Sequence, residues 1–278
     1  MRAMSGLGWR WYRLAKRERA RLMLDEVVRT FRVNSRTAEA VVREAHDLTL
    51  QSRLEGLVLA RIPSAELDDY ARVTGAPEPG SFLIFPSLSG VPLLLMVLAR
   101  RHPGLTVYRP RGLPPAGIRG VGPLRDSAIN RRRAVARGRE EDRLGITWID
   151  DPAEIPRRLD AGAVVAAAVD GRTWEEYRIS SIFGRDALLG TEPWALARRY
   201  PVSAAFVSRR RDKLWKIEIH PPEHLDCEQW IRERAEPWLE EHPGDWAMWL
   251  AECRMLAATD DHPLFCEYAT DERWRRWR

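Results

Sequence analysis

The chain has 278 residues, 45% hydrophobic and 31% charged, with a formal net charge of +5 and a pI near 9.4. That is too apolar for a disordered chain and long enough for one large α/β domain or two small ones. No run approaches the roughly 20 apolar residues that cross a bilayer, and the excess of cations favours an anionic partner, either nucleic acid or an anionic membrane surface.

The first twenty residues hold six Lys/Arg against one acid, Glu18, and no apolar run of seven or more, so no secretory signal is expected. Trp9, Arg10, Trp11 and Arg13 stand close together there. Indole rings favour the headgroup layer and cations favour anionic lipid, so residues 1–34 are expected to form a basic, aromatic interfacial helical segment. From Ser35, taken as an N-cap, to about residue 60, Val41, Ala45, Leu48, Leu54, Leu57 and Val58 recur at helical spacing. Gly75, Pro77, Pro79 and Gly80 then mark a turn-rich stretch.

Phe82-Leu83-Ile84-Phe85 reads as a buried strand, Val91 to Arg101 as a helix, and Thr106 to Arg109 as the next strand. Strand, helix and strand in thirty residues predict a βαβ unit with the two strands paired in parallel. Pro110, Gly112, Pro114, Pro115, Gly117, Gly120 and Gly122 break regular structure, and Arg125 and Arg131 to Arg139 form a basic patch. Ile146 to Ile149 suits a strand, and Asp150 or Asp151 before Pro152 suits a helix start. Ala161 to Val169 reads as a buried strand ending at Asp170, and Ile179 to Phe183 as a short strand running into Gly184. Trp194 to Tyr200 looks helical, Val202–Val207 and Leu214–Ile219 form a hairpin, and Asp226 to about Ala258 is helical. Residues 259–278 make a basic tail ending Trp274-Arg275-Arg276-Trp277-Arg278. The three cysteines, Cys227, Cys253 and Cys266, have neither a CxxC nor a zinc spacing, and their odd number fits a reducing compartment. Together these elements predict a single α/β domain with a mixed sheet, a helical N-terminal lead and a helical C-terminal cap.

The order of motifs carries a resemblance. A Gly-led strand ends in Asp170 (Ala161 to Asp170, AGAVVAAAVD), then come Phe183-Gly184-Arg185 and the helix Trp194-Ala195-Leu196-Ala197-Arg198-Arg199. Two strands close on Ile217-Glu218-Ile219-His220-Pro221-Pro222, and His242-Pro243-Gly244-Asp245-Trp246-Ala247-Met248-Trp249 follows. Upstream stands Val107-Tyr108-Arg109-Pro110. Over about residues 35–258 this resembles the bacterial lipid A acyltransferase family, a branch of the lysophospholipid acyltransferases.

The resemblance implies a mixed, mostly parallel sheet wrapped by helices, of the glycerolipid-acyltransferase type, with an acyl groove facing a membrane. It implies acyl transfer from an acyl-carrier-protein thioester to a lipid hydroxyl. A His on the loop after the first core strand would act as general base, with an acid five residues on to orient it. No cofactor and no metal are implied. Carried over residue by residue, Arg109, Asp170, Phe183 and Gly184 fall near the acyl or headgroup site, with Arg109 suited to a phosphate or carboxylate.

The dyad itself is missing. The loop reads Pro86-Ser87-Leu88-Ser89-Gly90-Val91-Pro92-Leu93, and alignment on Gly90 puts Leu88 and Leu93 at the two catalytic positions. His262 with Glu267 repeats the spacing near the tail, and His220 and His224 sit among acids, but neither has a catalytic context. Ser87 and Ser89 lack a GxSxG setting. Three readings stay open. One is a member degenerate for catalysis that binds a lipid, an acyl carrier protein or a partner enzyme. The second is an active lipid O-acyltransferase using another base. The third is a nucleic-acid-binding protein, for which the Arg clusters speak and no recognition motif does. The resemblance places the protein at the cytoplasmic face of a bacterial inner membrane, as a peripheral protein.

Overall fold

A computed structural model describes residues 17–59, 62–108, 143–170, 176–209, 214–223, 226–257 and 264–269. Two helices lead: α1 (Arg17–Phe31) and α2 (Ser35–Leu59). The strands β1 (Ala71–Thr74), β2 (Phe82–Phe85), β3 (Thr106–Tyr108), β4 (Thr147–Ile149) and β5 (Val165–Ala168) follow, with helix α3 (Val91–Arg101) after β2 and helix α4 (Glu154–Asp160) before β5. A separate antiparallel hairpin, β6 (Tyr177–Ile182) and β7 (Arg185–Gly190), precedes α5 (Glu192–Ala197), β8 (Val202–Arg209) and β9 (Trp215–Glu223). The chain then turns helical through α6 (Cys227–Trp230), a π-turn (Ile231–Ala235), α7 (Glu236–Glu241) and α8 (Pro243–Ala257).

Seven strands form one sheet in the order β1-β9-β8-β2-β5-β3-β4. Only β8 and β9 pair antiparallel, so the sheet is mixed and mostly parallel, as the sequence suggests. Its central strands are short apolar runs buried on both faces, which a parallel sheet under two helical layers demands. On one face α3 packs its leucines, and Gly90 at its start lies against Val207 and Trp215, where an added Cβ would meet Trp215 Cζ3 at 2.7 Å. On the other face Phe206 stacks on Trp238, with ring centroids 5.0 Å apart, beneath the C-terminal helices.

Three expectations need correction. The strands of the βαβ unit are parallel but not neighbours, because β5 lies between them and bonds to both. The small side chains of Val165-Ala166-Ala167-Ala168 fit that slot beside the bulky Phe82, Ile84 and Phe85. Helix α2 is capped by Asn34, whose Oδ1 accepts the Thr37 N–H at 2.9 Å, rather than by Ser35. The Asp151 carboxylate accepts the Ala153 N–H at 2.9 Å, and α4 starts only at Glu154. Residues 71–74, where no strand is expected from the sequence, form edge strand β1, paired parallel to β9.

The N-terminal helix is docked on the body. Ala20, Met23 and Val27 of α1 pack with Val41, Val42 and Ala45 of α2 and Ala247 and Ala251 of α8. Trp9, Arg10, Trp11 and Arg13, the residues expected at a membrane, lie outside the described residues, as do Arg109 and the cluster Arg131 to Arg139. No helix among the described residues is long and apolar enough to cross a membrane.

Candidate functional site

In open α/β sheets, ligands gather outside the carboxyl ends of the parallel strands. Here β2 and β5 run side by side, Phe85 opposite Ala168, and deliver the loop 86–90 and Asp170 to the same edge. The Asp170 carboxylate is buried and takes the Ser87 N–H on both oxygens, at 2.8 and 3.0 Å. Its Oδ2 also accepts the Trp246 indole N–H, at 2.8 Å. Burial pushes the Asp170 pKa up from its ordinary value, and the hydrogen bonds from Trp246 and from the Ser87 amide and hydroxyl act against that rise. The next loop serine is pinned as well, since the Ser89 N–H and hydroxyl both donate to the Asp245 carbonyl, at 2.9 and 3.1 Å. Asp245 keeps a buried side chain, and burial together with the nearby Glu44 carboxylate pushes its pKa well up.

The two positions where the resemblance expects a base and its acid are part of the core. Leu88 is 5% exposed and Leu93 is 1% exposed. An ionisable group at either would have to be desolvated among aliphatic side chains.

Phe183 and Gly184 form the two-residue turn between β6 and β7, with φ of 53° and 69°. Two positive φ values suit the twist of such a hairpin, but phenylalanine seldom accepts one. Three contacts hold Phe183 there. Its N–H donates to Glu236 Oε1 at 2.6 Å, and its ring meets Phe31 edge-on at 5.1 Å and lies 6.3 Å from Trp246. Phe183 and Asp170 thus both neighbour Trp246, the first by its ring and the second by the indole N–H.

A second cluster begins one residue past the turn. Glu26 of α1 is fully buried, and its carboxylate is met by Arg185 at 3.1 Å, Arg254 at 2.8 Å and the Tyr268 hydroxyl. Arg185 also donates to Thr30 Oγ1 and to Glu267, and lies over the Phe265 ring at 3.5 Å. Burial, followed by the hydrogen bond to Glu26, pushes the Tyr268 pKa up to about 12. Glu267, the acid of the displaced HxxxxE spacing, is therefore held by Arg185, while His262 and His224 lie outside the described residues. No cluster of three or more His, Cys, Asp or Glu suited to a metal occurs among the described residues.

Trp246, Asp245 and Glu26 are the residues that reading for a His/acid pair passed over. Trp246 had a signal, its place in His242-Pro243-Gly244-Asp245-Trp246, whereas Glu26 sits in a charged helix with nothing to distinguish it. Compared with known proteins, the chain matches no family model, and no curated protein proved similar to it.

Proposed function

We propose that this is an acyltransferase-like protein of the membrane surface that binds a lipid or an acyl-carrier group and has lost catalysis by a His/acid dyad. The observation that carries the loss is the segment after β2, where Leu88 of the loop and Leu93 of α3 are core residues and the Ser87 and Ser89 amides are spent on Asp170 and Asp245. The ligand class rests on the order of the motifs around Asp170, Phe183 and Gly184, with Arg109 as the phosphate or carboxylate partner. The basic, aromatic residues Trp9, Arg10, Trp11 and Arg13 support a peripheral place at the cytoplasmic face of a bacterial inner membrane. A partner enzyme would then supply any chemistry.

One observation favours the second reading, an active lipid O-acyltransferase with another base. Asp170 is a buried carboxylate at the end of β5 whose oxygens lie against Ser87, and burial raises its pKa from the ordinary value.

Native mass spectrometry of the gently purified protein, with lipid extraction, tests the proposal alongside an acyl-transfer assay. A co-purifying acyl lipid or acyl carrier and no transfer at enzyme-like rates are expected. Enzyme-like transfer that Asp170→Asn or Arg109→Ala abolishes would replace this reading with the second.

A further inference from the structure

The first turn of α8 grips the loop after β2 with two consecutive residues. The Asp245 carbonyl accepts the Ser89 N–H and hydroxyl, and the Trp246 indole N–H donates to Asp170, which also takes the Ser87 N–H. The Asp245 carboxyl takes no part in that grip. It is 3% exposed, and its buried Oδ1 has no hydrogen-bond partner among the described residues. Glu44 of α2 lies against the preceding Gly244, so close that a Cβ there would meet the Glu44 Cγ at 2.9 Å and Oε2 at 3.1 Å. The other charged groups near this turn do not compensate Asp245. His242 lies 3.8 Å from Glu241, and His46 of α2 lies 3.8 Å from Asp47. Arg43, next to Glu44 in α2, is exposed, the loop Pro86-Ser87-Leu88-Ser89-Gly90 carries no charge, and Asp170 is a second acid. Among the described residues, the charged group that acts on Asp245 is therefore another carboxylate, Glu44.

A carboxyl buried without a donor beside a second carboxylate is cheaper protonated than ionised. The start of a helix favours an anion, but by less than the desolvation of an unpaired charge costs. We infer that the first turn of α8 is an acid-closed latch on the loop after β2: Asp245 carries a proton while the turn is packed against α2 and the loop, and losing that proton to solvent opens the turn and releases Ser89. In the open turn the carboxyl meets water and ionises at its ordinary 3.8, whereas burial and Glu44 hold it well above that value in the closed one. Closure is therefore complete below about pH 4 and weakens as pH rises through the raised value. His242, whose pKa is pushed down chiefly by burial, works with the opposite sign, favouring the packed state as pH rises, so the two groups are separable. The latch follows from the packing of α8 and does not rest on the proposed function.

The test uses the full chain, ¹⁵N-labelled, with hydrogen exchange of the Ser89 amide followed from about pH 5 to pH 9 and corrected for the intrinsic rate. Protection should fall about tenfold per pH unit until Asp245 ionises in the closed turn, the slope of one proton released per opening. Asp245→Asn should remove that slope, whereas Asp170→Asn should keep it. The amide of Leu250, further along α8, should not share it, which separates local opening from global unfolding. The ¹³C signal of the Asp245 carboxyl reports the same proton in wild type, so the outcome does not hang on one variant's folding. It should titrate well above 3.8 there, and at lower pH in Glu44→Gln than in wild type. A flat protection profile, an unchanged slope in Asp245→Asn, or a carboxyl signal that titrates near 3.8 would overturn the inference.

Discussion

Glu26 and Asp170 are both buried carboxylates that tie distant elements together, but guanidinium groups meet the first and neutral N–H donors meet the second. Glu26 receives full counter-charge from Arg185 and Arg254, so the pair of helices and the hairpin it joins are held by charge. Asp170 receives only dipoles, so its charged form bears the cost of burial and its pKa rises. The lesson is that equal burial need not mean equal energetics: a carboxylate met by guanidinium groups has its charge compensated, whereas one met only by dipoles bears the cost of its own desolvation.

The largest expected effect breaks the first cluster. Glu26→Gln keeps the volume but removes the buried counter-charge that Arg185 and Arg254 share, and chemical denaturation should show a loss of about 3–5 kcal/mol. Asp170→Ala is expected to cost less, about 2–4 kcal/mol in the same measurement, because it orphans neutral donors on Ser87 and Trp246.

The contrast sharpens with pH. The folded pKa of Asp170 lies above its ordinary value of 3.8, so the folded protein holds that proton more tightly than the unfolded chain. Its stabilising contribution is complete below about pH 4 and is lost as pH rises through the raised value. Wild type should therefore lose stability relative to Asp170→Asn as pH climbs above 4, and a gap independent of pH would mean that Asp170 titrates normally.

The smallest effect lies between the two clusters, where Phe183 touches Trp246 and Arg185 holds Glu26. Gly184→Ala forces a side chain onto a φ of 69° and toward Arg32, whose guanidinium end can move aside. Thermal unfolding should report a loss of about 1 kcal/mol. A larger loss would mean that the turn couples the clusters.

Strong local patterns made the frame legible in the sequence. The run Phe82 to Phe85, the hairpin after Val202 and the helical ends all stand where composition and spacing put them. Pairing order was not legible, because the insertion of β5 between β2 and β3 depends on how the Ala-rich strand fits a slot, and nothing in residues 82–109 encodes it. The short strand β1 has only four residues, Ala-Arg-Val-Thr, one of them fully buried, which leaves almost no pattern to read. For the site, the apolar character of the segment after β2 was visible from Leu88 and Leu93 alone. The partners of Asp170 were not, since Ser87 and Trp246 lie 83 and 76 positions away in the chain.

The closure of Glu26 also sets a schedule for synthesis. Tyr268 is 242 positions after Glu26 and Arg254 is 228. At a typical ribosomal pace of about 5–20 residues per second, α1 emerges roughly 10–50 s before its last partner exists. During that interval its carboxylate can stay in water and the apolar stripe of Ala20, Met23 and Val27 can meet α2, but the side that packs on Ala247 and Ala251 must wait for α8. A nascent chain of this design would lean on a chaperone, or on a surface that shelters the stripe, until its C-terminal end is made.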